Sequence, residues 1–266
     1  MNAAQCSLDA GVSVEKLAGH VFLARMGKKL LRPGGRRATE QLFELAGLEP
    51  GQRVCEIATN RAVTAIELAE RFGVRVDGVD ASPEFLALAR DNIAAHALAD
   101  RIQVHVGKGH ELPFEDNTFD RVTAEAVVTM LPPEQKLATL REAARVLRPG
   151  GCLVIHELAW SQSDKAIRAD LVKTIQHAAW PMTDDEWRSI LAQAGLSFAD
   201  SRTGEMSLMS PTGLLRDEGV GGVVRILWNI LRTPGARTRF KSMARFFRLH
   251  REGFHYIVLK ATKSGD

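Results

Sequence analysis

The sequence predicts an α/β fold built on a largely parallel sheet. Between residues 49 and 160, short β-branched and apolar runs alternate with stretches whose apolar residues recur every three or four positions, the pattern of successive βαβ units. The 266-residue chain is 45% hydrophobic and 25% charged, carries a formal net charge of +3 and has no low-complexity tract. That composition excludes a disordered, collagenous or coiled-coil protein, and a chain of this size needs no disulfide or metal staples.

Val14 to Ala46 reads as a helix, a turn at Arg32-Pro33-Gly34-Gly35, and a second helix stopped by Gly47. After the turn Glu49-Pro50-Gly51 comes the first buried strand, Arg53–Ile57. Ala65, Ile66, Leu68, Ala69 and Phe72 then keep helical spacing up to Gly73, and Val74–Val79 is the second strand. Ser82-Pro83 supplies an N-cap and a first-turn proline, with Phe85, Leu86, Ala89 and Ile93 as the buried stripe of the helix they open. Ile102–Val106 and Phe119–Ala124 are the third and fourth strands. Pro133 to Leu147 is a helix halted by Arg148-Pro149-Gly150-Gly151, and Cys152–His156 is the fifth strand.

Past residue 160 the alternation loosens. Thr183-Asp184-Asp185-Glu186 is a capping box, with Met182 stapling to Trp187, and that helix closes at Gly195. Two β-patterned runs remain, Leu196–Ala199 and Phe254–Leu259, separated by a helical stretch from Ser210 to Gly253. There is no internal repeat.

Cys6, Cys55 and Cys152 are scattered and odd in number, which fits no disulfide framework or metal spacing and points to a reducing compartment. Met1 to Gly19 has no signal-peptide pattern, and no apolar run approaches the roughly 20 residues of a membrane span. A cytoplasmic protein is expected. His20, His105 and His255 show no metal spacing, so no metal is expected either.

In open α/β sheets ligands sit beyond the carboxyl ends of the strands. The residues there are Glu56–Ala62, Asp80, Gly107–His110, Ala124–Thr129 and His156–Trp160. Asp80 lies about 20 residues beyond the first turn, where a carboxylate takes ribose hydroxyls. Its competing role is to stabilise the N-terminus of the helix opened by Ser82.

The order Arg53-Val54-Cys55-Glu56-Ile57, turn, helix, Gly78-Val79-Asp80 resembles the class I S-adenosylmethionine-dependent methyltransferases. So do Leu112-Pro113-Phe114-Glu115-Asp116-Asn117-Thr118-Phe119-Asp120 and Arg145-Val146-Leu147-Arg148-Pro149-Gly150-Gly151, the usual lead-ins to strands four and five. Within that family the chain is most similar to small-molecule methyltransferases of the ubiquinone/menaquinone-biosynthesis type. The resemblance implies a Rossmann-like, doubly wound, mostly parallel seven-stranded sheet with a reversed edge hairpin, an N-terminal helical lid and a helical insertion before the last strand. It implies one domain over 1–266: a cap at 1–48, a cofactor-binding core at 49–160, and substrate-side helices with the strand pair at 161–266.

The implied cofactor is S-adenosyl-L-methionine, with S-adenosyl-L-homocysteine as product. By position, Glu56 orients the methionine amino group within a turn that includes Ala58, Thr59 and Asn60. Asp80 holds the ribose with Ala81 beside the adenine, and Gly109 and His110 lie along the adenine edge. Ala124 and Glu125 face the methionine part and the sulfonium.

Two features depart from the family pattern. Its first turn reads Glu/Asp-x-Gly-x-Gly-x-Gly, and here Glu56-Ile57-Ala58-Thr59-Asn60-Arg61-Ala62 has no glycine. Asn60 is the best substitute, because Asn tolerates the left-handed region, while Ala58 and Ala62 each add a methyl. After strand three, Lys108 stands where an acid usually accepts the adenine amino group, and lysine cannot accept. The alternative these departures motivate is a methyltransferase-like fold put to cofactor-independent lyase or cyclase chemistry, or to non-catalytic binding.

Methyl transfer is mainly a positioning problem, with a general base needed for a hydroxyl-type nucleophile. The candidates are Glu125, His156 and Glu157. Neighbours in a strand face opposite ways, so at most one of the last two faces the pocket. His156 is equally readable as a satisfied core histidine. Glu125 is readable as the partner of a cationic ligand, or of Arg61 or Lys108 in a structural pair.

The flanking helices are rich in apolar and basic residues, and no Asp or Glu lies between Gly219 and Arg251. In one reading Ile226, Leu227, Trp228, Ile230, Leu231, Phe246 and Phe247 pack inward while the arginines snorkel into water. Others are an apolar or anionic small-molecule acceptor and, ranked behind it, an anionic membrane surface. Nucleic acid ranks lower still at a charge of +3 with no recognised motif. A monomer or homodimer is expected.

Overall fold

The computed structural model describes residues 13–265; Cys6 lies outside them. Seven strands form one sheet in the order β3-β2-β1-β4-β5-β7-β6. They are β1 Arg53–Ile57, β2 Arg75–Asp80, β3 Ile102–Val106, β4 Phe119–Glu125, β5 Leu147–Trp160, β6 Leu196–Glu205 and β7 Phe254–Lys263. The first five run parallel, and β7 is antiparallel to both β5 and β6. This is the doubly wound α/β sheet with a reversed hairpin that the sequence predicts.

Helices cover both faces, which is why the central strands read as nearly unbroken apolar runs. On one face α2 (Gly35–Ala46), α3 (Val63–Phe72) and α4 (Pro83–Ala95) bury Leu42, Phe43, Leu68, Ala69 and Ala89 against Val54, Val76 and Val154. On the other, α5 (Pro133–Val146) and α7 (Asp184–Gln193) bury Leu140, Trp187 and Leu191 against Val122, Leu153 and Ile257. The capping box of α7 is formed: Glu186 N–H donates to Thr183 Oγ1 at 3.2 Å, and Thr183 N–H donates to Glu186 Oε2 at 2.7 Å.

A helical cap sits beyond the carboxyl ends of the strands. It comprises α1 (Gly19–Arg25), α6 (Lys165–Ile175), α8 (Pro211–Arg232) and α9 (Ala236–Leu249). The stretch 165–175 shows no regular pattern in sequence, yet Asp164 caps it by accepting from Ala166 and Ile167 N–H. The N-terminal helix is shorter than the expected span, and an extended linker runs from it to Gly34. Gly34 and Gly35 bring that linker onto the sheet: a Cβ on Gly34 would lie 2.6 Å from the Tyr256 ring, and one on Gly35 2.2 Å from Asp217 Oδ2.

The inward packing expected of the late insert holds only in part. Ile226, Ile230 and Phe246 are buried, whereas Leu227, Trp228 and Leu231 are exposed. Several cations of the basic stretches are internal. Lys28 is buried beside Asp217 and Glu218, at 3.7 and 3.6 Å. Arg239 donates to the carbonyls of Glu15 and Leu17. Cys55 and Cys152 are buried free thiols, and burial pushes the Cys55 thiol well above its ordinary range. Among the described residues, no helix is long and apolar enough to cross a membrane.

Candidate active site

Strand order reverses between β1 and β4, and a cavity of about 470 Å³ opens there. Its floor is the β1–α3 turn with Asp80, Glu125 and Glu157. Its roof is made by Leu23, Leu171, Met243 and Phe247 of the cap, with Leu31 and Met206 from the connecting segments. Arg25, Lys29 and Arg61 add cationic groups, and His20 and His177 meet edge to face at 5.5 Å between ring centres.

The glycine-free turn keeps a left-handed backbone at each position where the family pattern has glycine. Ala58, Asn60 and Ala62 have φ of 57°, 52° and 59°. An alanine there costs roughly 1–2 kcal/mol, so the surroundings must impose the shape. They do so through hydrogen bonds: Thr59 N–H donates to Val79 O at 3.0 Å, Asn60 N–H to Asp80 Oδ2 at 2.9 Å, and Asn92 Nδ2 to Arg61 O at 3.0 Å. Asp80 thus takes the second of its two expected roles, at the start of the helix opened by Ser82. Its Oδ1 also accepts Ser82 N–H at 2.9 Å, and each oxygen keeps a lone pair for a hydroxyl.

Glu56 is buried at the end of β1 and accepts a hydrogen bond from Thr59 Oγ1. Burial pushes its carboxyl up to about 7, aided by the nearby Glu125 charge and opposed by the Thr59 bond and Arg32. A cationic amino group arriving beside it would favour the ionised form.

Glu125, at the end of β4, lies in a buried polar cluster that joins cap to core. Arg32 Nη1 is 2.7 Å from Oε1. Thr64 donates to Oε1 at 3.1 Å and Thr39 to Oε2 at 2.9 Å. Burial alone would raise this carboxyl, but the Arg32 charge and the His156 and Thr39 hydrogen bonds hold it down to about 2. Its partner is therefore Arg32, not the expected Arg61 or Lys108. Arg32, Thr39 and Thr64 carry no motif, and only the N-terminal position of Arg32 in a basic stretch hinted at them.

The other two candidates for acid–base work are held by bonds within the fold. His156 is fully buried, with Nδ1 3.1 Å from Glu125 Oε2 and Nε2 accepting Gly34 N–H at 3.2 Å. The Gly34 bond assigns the proton to Nδ1, so both nitrogens are committed. Glu157, on the opposite face of β5, borders the cavity. Its oxygens accept the N–H groups of Val127, Val128 and Thr129 at 3.0, 2.7 and 3.0 Å, closing the 3₁₀ turn Val128–Met130. Of the expected cofactor residues, Glu56, Ala58, Thr59, Asn60 and Asp80 line the cavity. Ala81, Gly109, His110 and Ala124 do not, and Phe85 stands in the lining beyond Asp80. Lys108 is exposed and paired through its backbone with Glu111.

A base candidate that sequence reasoning passed over is His177. Its Nδ1 lies 2.8 Å from Ala178 O, an acceptor only, so Nδ1 carries the proton and Nε2 the basic lone pair. It follows α6, in the region without a readable pattern.

The cavity offers a buried carboxyl, a ribose-competent carboxylate and a turn of the right backbone shape. These fit a cofactor that carries an ammonium group and a ribose. A family model described as a methyltransferase domain matches residues 54–151. An uncharacterized protein of Haemophilus influenzae is 39% identical over 92% of this chain and 98% of its own length. Methyltransferase GfsG of Streptomyces halstedii is 28% identical over 88% and 82%. An uncharacterized methyltransferase of Synechocystis is 30% identical over 63% and 77%. Among solved structures, geranyl diphosphate methyltransferase superposes with a TM-score of 0.64 at 15% identity, covering 85% of this chain and 84% of its own. The [4+2]-cyclase SpnF superposes at 0.67 and 19%, covering 86% of this chain and 82% of its own.

Proposed function

The chain belongs to the class I S-adenosylmethionine-dependent methyltransferases, and from that premise we propose that it methylates a small apolar or anionic acceptor held under the helical cap. The observation that carries this reading is the turn 58–62, which keeps the left-handed backbone of a glycine-rich turn without its glycines. That retained shape supports cofactor binding over the cofactor-independent alternative, whose motive was the missing glycines. When bound, the cofactor supplies an electrophilic methyl on a sulfonium.

The chain's own residues supply the rest. Glu56 takes the amino group and Asp80 the ribose hydroxyls, through lone pairs its backbone bonds leave open. Arg32, Thr39 and Thr64 fix the Glu125 carboxylate as a negative wall toward the cationic centre, and tie the cap shut over it. The apolar roof excludes water, while Arg25 and Lys29 place positive charge for an anionic acceptor. For a hydroxyl-type acceptor, His177 Nε2 is the group that takes the proton.

Calorimetric titration of the full-length protein with S-adenosylmethionine and S-adenosylhomocysteine tests the reading. Micromolar binding of both is expected, weakened at least tenfold in Asp80→Ala. Absence of heat with either ligand at millimolar concentration overturns it.

A further inference from the structure

The second half of α8 is apolar on both sides, which a globular protein reserves for buried helices. Gly219 breaks the helix at φ 67°, ψ 173°. Beyond it Ile226 and Ile230 face inward, in one cluster with Phe22, Leu23 and Met26. Asn229 Nδ2 donates to Met26 O at 3.1 Å, and Arg225 Nη2 to Gly27 O at 3.1 Å. The helix is therefore pinned in rotation. Its outer face, Val220, Val224, Leu227, Trp228 and Leu231, is 52–71% exposed. The spacing of four, three, one and three puts all five on one stripe.

The adjoining helix α9 carries the charge. Ala236, Arg239, Met243 and Phe246 are its buried face, so Arg237, Lys241, Arg245 and Arg248 form an exposed cationic ridge. Arg232 stacks on Trp228, its guanidinium carbon 4.0 Å from the ring centre. With no acid between Gly219 and Arg251 in a chain of net charge only +3, positive charge is concentrated in this segment.

We propose that this face, the apolar stripe of α8 flanked by the cationic ridge of α9, docks on an anionic lipid surface. An exposed Trp-, Leu- and Val-bearing helical face beside Arg and Lys is the composition that lies in the plane of a bilayer interface, apolar side down among the acyl chains and cations on the headgroups. A second copy fits less well, because a two-fold contact on the stripe sets Arg232 and its neighbours against themselves: no acid lies between Gly219 and Arg251, and Asp217 and Glu218 at the start of the helix are buried against Lys28. Nucleic acid leaves the aliphatic centre of the stripe unburied. The proposal does not depend on the methyl-transfer reading.

The test is flotation of the full-length protein with vesicles of phosphatidylcholine alone, or of phosphatidylcholine with phosphatidylglycerol, at 20 and at 500 mM salt, alongside sedimentation without lipid. Binding is expected only to the anionic vesicles. It should fall at least tenfold at the higher salt, as screening shortens the reach of each charge. Trp228→Gln with Leu231→Gln should weaken it at least tenfold, and Lys241→Gln with Arg245→Gln by about twenty-five-fold, some fivefold per cation. All four positions are exposed, so unchanged melting temperatures accompany these losses. Binding to neither vesicle, or equal binding to both, overturns the proposal. So does a dimer without lipid that the Trp228/Leu231 variant dissociates, which would assign the stripe to a second copy.

Discussion

Replacing Ala58 by glycine should stabilise the protein, the reverse of the usual effect of adding a glycine. At compatible backbone angles, Ala→Gly costs about 0.4–1 kcal/mol through the unfolded chain. At φ 57° the alanine instead carries a left-handed penalty of roughly 1–2 kcal/mol. Its methyl is only half-buried at the cavity edge, so little packing is lost. The net gain is about 1 kcal/mol, which in a chain of this size raises the melting temperature by about 2 °C. Asn60→Gly is the internal control. Asn tolerates the left-handed region and its side chain is exposed, so the change should stay within about 0.5 kcal/mol. Ala62→Gly should also be nearly neutral, because Ala62 is fully buried and its lost methyl, worth about 0.8 kcal/mol, offsets the relieved strain. Calorimetric melting of the three variants decides the matter. A lower melting temperature for Ala58→Gly, or equal gains at all three positions, refutes the view that the surroundings hold this turn in shape against its own residues.

Further outcomes follow from the two buried carboxyls. The Glu56 carboxyl lies at about 7 and must ionise to hold an ammonium group. Calorimetry should therefore show S-adenosylmethionine affinity falling about tenfold between pH 8 and pH 6, and Glu56→Gln should flatten that dependence. Glu125 lies at about 2 against an ordinary 4.5. Its contribution, about 3 kcal/mol as an upper bound, is present above pH 4.5 and is lost as pH falls towards 2. Arg32→Met strands that carboxylate and should cost about 3–5 kcal/mol in denaturant unfolding at pH 7. A cost below about 1 kcal/mol would show that the cap is not tied to the sheet through this pair.

Much of the fold was legible because parallel strands write themselves as local patterns. Arg53–Ile57 and Ile102–Val106 are strands with the bounds expected, and Ser82 and Thr183 cap the helices they were expected to cap. The longer extents of β5, β6 and β7 were not legible: pairing across the sheet carries those strands beyond their expected segments through Glu157, Arg202 and Lys260. Helix 165–175 was missed because its stability comes from packing Leu171 and Ile175 into the cap rather than from a strong periodic face.

The sequence by itself determined the α/β class, the switch point at which the cavity opens and the acids Glu56 and Asp80 in its lining, because each follows from residues close together in the chain. Tertiary structure alone decided which of the acids remain open to a ligand. Glu157 is consumed by a turn about 29 residues away, and His156 by Gly34, 122 residues away, together with Glu125. It also decided that the stripe 220–231 faces out. A helix with apolar residues all round does not declare which side it buries, and only its contacts with Phe22, Met26 and Gly27 fix the rotation. The same holds for the turn 58–62: its residues disfavour the backbone it adopts, and Asp80 and Asn92, from other elements, impose it.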